Sequence, residues 1–144
     1  MLLVIDGANV VGSRPDGWWK DRAAAASRLA TQLVAARARG ALADICAAPG
    51  SPGPCGAGAA ADPGEPRVLL VLEGAARAAT VPDGLEVLLA PRDGDSAMVE
   101  LAHDLGERGE EVTVVTADRD LTRLLHAVGA RTIRPGVLLT RLST

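Results

Sequence analysis

Tyrosine and phenylalanine are absent from this chain, and its only aromatic side chains are Trp18 and Trp19. That scarcity excludes the aromatic platforms on which RRM and OB modules stack single-stranded bases. It also requires an aliphatic core, built from Leu, Val, Ile and Ala. Lysine is nearly absent too. Lys20 is the sole one, so positive charge is carried almost entirely by arginine, and the net charge is −3. A globally basic nucleic-acid binder is therefore not expected, although a local basic patch is allowed. The two cysteines, Cys46 and Cys55, form no Cys-x-x-Cys pair and no disulfide framework, and they read as inert thiols. No apolar run approaches the about 18 residues of a membrane span, and no basic segment precedes the apolar run at Leu2. We expect a cytoplasmic protein with neither a signal peptide nor a membrane span. The glycine-rich phosphate loops Gly-x4-Gly-Lys-Ser/Thr and Gly-x-Gly-x-x-Gly are missing as well.

The 144 residues suit one domain spanning 1–144, large enough to bury a core without staples. Short apolar runs recur at Leu2–Ile5, Val68–Leu72, Val87–Ala90 and Val112–Val115, with a weaker one at Arg131-Thr132-Ile133. They do not alternate with polar residues, which suits strands covered on both faces in a parallel sheet. Helical patterns lie between them. Residues 21–39 place Ala26, Leu29, Ala30, Leu33 and Val34 on one face, 96–108 do so with Met98, Leu101, Ala102 and Leu105, and 119–128 with Leu121, Leu124, Leu125 and Val128. Gly40, Gly109 and Gly129 come directly after these patterns as helix stops. Residues 41–48 fit either a helix extension or a short strand. The Pro/Gly-rich stretch at about 49–66 reads as a mobile loop. The alternation predicts an α/β protein, a three-layer α/β/α sandwich with a mostly parallel sheet of about five strands.

The ends of the four stronger apolar runs are the informative positions, because each is succeeded by acids. Asp6 comes after Ile5, Glu73 after Leu72, Asp93 and Asp95 after Ala90, and Asp118 and Asp120 after Val115. In a parallel sheet these positions lie on one edge, where open α/β folds place their sites. Unit charges of like sign about 4 Å apart repel by roughly 4 kcal/mol at an effective dielectric of about 20. Such a rim must be protonated in part or hold cations. Hard oxygen ligands at this density suit Mg²⁺ or Mn²⁺, and two such ions could clamp the attacking and leaving oxygens of a phosphodiester. Each acid also has a structural reading. Asp95 and Asp118 sit where N-caps belong, while Asp6-Gly7 and Asp93-Gly94 suit strand-end turns. Asn9 could orient a metal-bound water or cap the turn. Ser96 and Thr116 read as caps or as partners of the carboxylates. His103 and His126 have no metal-ligand spacing.

The segment from Gly12 to Lys20 joins Arg14 and Lys20 to both tryptophans, with Arg22 just beyond. It reads as a phosphate-contacting lip with one ring, Trp18, available to stack on a base, or as a loop anchored by its tryptophans. Arg92, Arg119 and Arg123 would extend the basic rim.

Three segments carry a resemblance: Leu3-Val-Ile-Asp6-Gly-Ala-Asn9, Asp93-Gly-Asp95-Ser-Ala-Met98 and Val115-Thr-Ala-Asp118-Arg-Asp120-Leu121. Their order and placement resemble the PIN-like nuclease superfamily, its NYN branch and in particular the bacterial YacP-like group. The likeness covers nearly the whole chain outside 49–66. Glu73 stands where relatives often carry Asp, and the Ser-Gly-Asp-Ser-Asp-Phe form common in NYN domains is absent. The resemblance implies strand order 3-2-1-4-5, with Asp6 and Asp118 meeting at the switch point, and a ribonuclease that uses Mg²⁺ or Mn²⁺ to hydrolyse RNA. Asp6, Asp95, Asp118 and Asp120 would then be catalytic and metal-binding residues, supported by Asn9. Asp93 competes with Asp95, and Glu73 completes the acidic set. RNA would meet Arg14, Trp18, Lys20, Arg22, Arg92 and Arg119. Two alternatives stay open: a non-catalytic RNA-binding module and a nucleoside triphosphate pyrophosphohydrolase. A homo-oligomer is compatible with each.

Overall fold

The computed structural model describes residues 1–14, 17–43, 45, 66–91 and 94–143. Cys46, Cys55, Arg92, Asp93 and the expected loop up to residue 65 lie outside the described residues. Among the described residues there are five strands, β1 (Leu2–Asp6), β2 (Arg67–Leu72), β3 (Glu86–Leu89), β4 (Val112–Val115) and β5 (Arg131–Ile133), and five α-helices. The helices are α1 (Gly7–Gly12), α2 (Arg22–Ala38), α3 (Gly94–Glu107), α4 (Arg119–Ala127) and α5 (Pro135–Ser143). Short 3-10 turns occupy Trp18–Lys20 and Gly74–Ala78. Every strand pair is parallel, in the order β3-β2-β1-β4-β5. This is the expected fold and the expected strand order.

The central strand explains the unbroken apolar runs. All five residues of β1 are buried. Leu3 and Ile5 face the core shared with α1, α2 and α5, while Leu2 and Val4 face the core shared with α3 and α4. With both faces covered, Leu2 to Ile5 are all apolar. Helix α2 starts because the Asp21 carboxylate accepts from the Ala24 N–H at 3.0 Å, satisfying one unpaired donor of the first turn. It then buries Ala26, Leu29, Ala30 and Leu33. Helices α3 and α4 end before Gly109 and Gly129, at φ 79° and 85°, angles that residues with a Cβ rarely adopt.

The structure differs from expectation in three places. Helices α1 and α5, of 6 and 9 residues, were not among the expected elements. Tertiary contacts hold α5: Arg39 Nη2 donates to the carbonyls of Arg141 and Leu142, each at 3.0 Å, and Pro135 opens the helix. Helix α3 begins at Gly94, so Asp95 lies inside its first turn and is not its N-cap. In the 41–48 region, residues 41–43 form a turn, with Leu42 and Ile45 fully buried. No strand occurs there among the described residues.

Candidate functional site

Strands β1 and β4 are neighbours from which chain connections leave in opposite directions across the sheet, so their C-terminal ends border a crevice. Asp6 is the last residue of β1 and only 6% exposed. Its Oδ1 accepts from the Asn9 N–H at 3.3 Å, and its Oδ2 accepts from the Thr116 hydroxyl at 2.9 Å. Thr116 is buried just beyond β4, and its Oγ1 in turn accepts from the Asp118 N–H at 3.2 Å. The Asn9 side-chain carbonyl accepts from the Ala117 N–H at 2.8 Å. The ends of β1 and β4 are thus tied by two crossed bridges, Asp6 to Thr116 and Asn9 to Ala117.

The same Asp6 carboxylate caps α1, which begins immediately after the strand. Gly7 makes that immediacy feasible. A Cβ placed there would stand 2.6 Å from the Val71 carbonyl oxygen of β2, closer than real Cβ contacts come.

Burial dominates the electrostatics of Asp6. Its carboxyl is pushed up to about 6, against an ordinary 3.8, chiefly by desolvation, and the nearby charges of Asp95 and Glu73 act in the same sense. The hydrogen bonds from Thr116 and Asn9 act in the opposite sense. Glu73 lies just past β2, and its Oε2 accepts from the Gly94 N–H at the start of α3. Gly94 has to lack a side chain for this contact, because a Cβ there would lie 2.7 Å from that oxygen. The glycine of Asp93-Gly94-Asp95 therefore seats Glu73 and does more than form a turn.

The five described acids of the expected rim do not all converge. Asp6, Asp95 and Glu73 share one field. Asp118 borders them through Thr116, while its own Oδ1 caps α4 by accepting from the Leu121 N–H at 3.1 Å. The Asp120 side chain is 87% exposed and has the Arg123 guanidinium 3.7 Å away. Among the described residues, no three His, Cys, Asp or Glu side chains converge closely enough to hold a metal ion. The ordinary shape of a Mg²⁺ site is one or two carboxylates plus waters and substrate phosphate, not a full protein cage. The chemistry of the donor set, with the buried Asp6 beside Asp95, fits an ion of that kind and does not form a complete cage around one.

Two cavities flank Asp6. One, of about 310 Å³, lies between α1, the start of α2 and the turn after β2, and Trp18, Arg22 and Glu73 are among its walls. Trp18 is half-buried, packs against the core, and has the Arg22 guanidinium over its ring at 5.4 Å. Trp19 meets it edge-on and is 59% exposed. Trp18 is therefore anchored against the core while still lining the cavity, and Trp19 is the more exposed ring. The other cavity, of about 720 Å³, runs from Thr116 and Ala117 along α4 and β5, past Arg119, Arg123, His126 and Arg134. Of the expected RNA contacts, Trp18 and Arg22 line the first cavity and Arg119 the second. Arg14 is half-buried and Lys20 exposed, and neither lines the two cavities. Sequence reasoning underrated Thr116, Gly7 and Gly94. The short spacing from Asp6 to Gly7 and the lone threonine between β4 and Asp118 were the available signals.

No family model and no curated protein matches this chain. Among solved structures it is similar to the crystal structure of Rae1 (YacP) from Bacillus subtilis, with a TM-score of 0.63, 19% identity, and 99% of this chain and 74% of that chain covered. A point mutant of the same protein matches with a TM-score of 0.63 and 18% identity over the same shares. At this identity the likeness establishes the fold. No helix among the described residues is long and apolar enough to cross a membrane.

Proposed function

We propose that the chain hydrolyses RNA phosphodiester bonds, with Mg²⁺ or Mn²⁺ bound at Asp6 and Asp95. One observation carries this reading. A carboxylate almost wholly removed from water ends the central strand, is held by hydrogen bonds from Thr116 and Asn9, and faces two further acids. Burying such a group is unfavourable for folding alone, and perturbed carboxylates of this kind concentrate at reactive sites. The fold shared with Rae1 (YacP) is consistent with the reading.

Asp6 supplies the central oxygens, and Asp95 a second carboxylate from the first turn of α3. Asp118 stands at the margin, reached through Thr116, and Glu73 closes the β2 side. Asp120 faces Arg123 and has no part in the first ligand set. When bound, the ion supplies Lewis-acid stabilisation of the phosphate oxygens and makes a bound water more acidic. Asn9 and Thr116 keep the Asp6 carboxylate in one orientation as its charge changes. Arg119, Arg123 and Arg134 line an open groove that begins at Thr116, and they give the RNA backbone a cationic track. Trp18 and Arg22 stand on the opposite flank.

The test is cleavage of a synthetic single-stranded RNA in Mn²⁺ and in EDTA, by wild type and by Asp6→Asn. Metal-dependent cleavage reduced at least about a hundredfold in the variant is the expected result, the scale of losing one group that stabilises the transition state. Equal rates would refute the assignment. A second reading, RNA binding without turnover, is favoured by the lack of a complete three-ligand set among the described residues. It predicts salt-sensitive binding and no cleavage in either protein.

A further inference from the structure

The cavity between α1 and α2 is unlike the arginine-lined groove. It is compact, at the small end of ligand-pocket sizes, and its walls are largely apolar. Two polar groups stand out among them, Glu73 and Arg22. It also begins at Gly7, one residue from Asp6. A flat ligand with apolar faces and hydrogen-bonding edges matches such a shape. A nucleobase has that form, and the polarisable surface of Trp18 with Arg22 upon it suits one.

We propose that this cavity is a nucleobase subsite adjoining the reactive carboxylates, and that it takes guanine. The inference rests on the RNA-cleavage reading for its biological substrate. The choice of base comes from Glu73. An ionised carboxylate only accepts hydrogen bonds. The contact from Gly94 to Oε2 holds the group in place and uses one of its roughly four acceptor sites. Guanine presents two donors side by side, its ring N1–H and its 2-amino group, which match the two carboxylate oxygens. Adenine and cytosine set their amino group beside an acceptor nitrogen that would face the carboxylate lone pairs. Uracil places its single N–H between two carbonyl oxygens. Sites built to satisfy a donor pair reject analogues that lack it, because the acceptor is then left unpaired. Arg22, an exposed cation among the cavity walls, is available to the phosphate of the same nucleotide.

The test uses intrinsic fluorescence in a Trp19→Phe background, so that the signal comes from Trp18. GMP, AMP, CMP and UMP are titrated in EDTA, which separates base binding from any metal chemistry. We expect a saturable change with GMP and affinities at least about tenfold weaker for the other three, the scale of one bidentate contact. Glu73→Gln levels GMP with AMP. Ala76→Leu puts bulk into the cavity wall without altering Asp6 or Glu73, and it abolishes GMP binding. If that variant fails to fold, Ala8→Leu at an exposed position of α1 takes its place. Equal affinity for the four nucleotides overturns the proposal, as does GMP binding that survives Ala76→Leu. RNA cleavage that depends on Asp6 in a protein that never binds GMP removes the subsite and leaves the reaction standing. GMP binding lost in Ala76→Leu, in a protein that cuts no RNA, upholds the subsite and removes the reaction.

Discussion

Replacing Asp6 with asparagine should make the metal-free protein more stable at neutral pH. The folded-state carboxyl of Asp6 titrates near 6, against 3.8 for an ordinary aspartate. The raised value means that the fold favours the protonated form. The associated stability is fully present below pH 3.8 and is lost as pH rises through 6. Above that window, ionised Asp6 costs the fold about 3 kcal/mol. Asparagine stays neutral and escapes that cost, but it forfeits part of the hydrogen bond from Thr116, whose oxygen already accepts from the Asp118 N–H. That loss is worth about 1 kcal/mol and is nearly independent of pH. Asp6→Asn should therefore be within about 1 kcal/mol of wild type at pH 4.5 and gain about 2 kcal/mol relative to it by pH 7.5. Urea unfolding of both proteins in EDTA at the two pH values measures this directly. A difference between variant and wild type that changes by less than about 0.5 kcal/mol across the range would refute the reasoning. It would mean that Asp6 is solvated like any surface carboxylate. Adding Mg²⁺ or Mn²⁺ at pH 7.5 should then raise the stability of wild type alone, because an ion bound only by the folded state stabilises by mass action.

Three further perturbations separate the parts of the site. Thr116→Val removes the hydroxyl that lowers the Asp6 pKa, so Asp6 should titrate above 6, and the carboxyl carbon shift tracked by NMR against pH reads this. The same variant strands the Asp118 N–H and should cost about 1–2 kcal/mol in urea unfolding. Gly7→Ala drives a Cβ against the Val71 carbonyl oxygen, which is backbone and cannot swing away. It should cost about 2–3 kcal/mol, measured as a fall in the thermal midpoint. Leu29→Ala, at a fully buried position in the core under α2, should cost about 2–5 kcal/mol in urea unfolding while leaving the pH dependence of Asp6 unchanged.

The layered fold was legible because β1, β2 and β4 are buried on both faces, so their apolar runs stand out without alternation, whereas the sheet order followed only from the family resemblance of the strand-end motifs. β5 is three residues long and could be read only weakly. The gathering of acids along one sheet edge was legible too, since Asp6, Glu73, Asp95 and Asp118 all come at or beyond strand ends. How those acids divide was not. Asp118 and Asp120 look equivalent in sequence, but the helix that begins between them gives Asp118 to the cap and turns Asp120 toward Arg123. A two-residue difference in the start of α3 likewise moved Asp95 from cap to first turn. Helix boundaries depend on tertiary contacts, here the Gly94 N–H meeting Glu73 across 21 residues of chain, and local spacing carries no record of them.

The construction around Asp6 shows why the site resists relaxation. A buried carboxylate could lower its energy by turning toward water. Here the turn is blocked from two directions. Gly7 lets α1 begin at once, so that Asp6 must cap it, and the crossed bridges from Asn9 and Thr116 tie that cap to the end of β4. Removing one bridge leaves the other, so neither Asn9 nor Thr116 alone should release the carboxylate. A Thr116→Val, Asn9→Ala double variant should lower the Asp6 pKa back toward 3.8 by admitting water, whereas Thr116→Val alone raises it. Opposite signs for the single and double variants, read in the same NMR titration, would distinguish a clamped carboxylate from one that is merely buried. A double variant that titrates at or above the single would show that packing of the sheet by itself keeps water from Asp6.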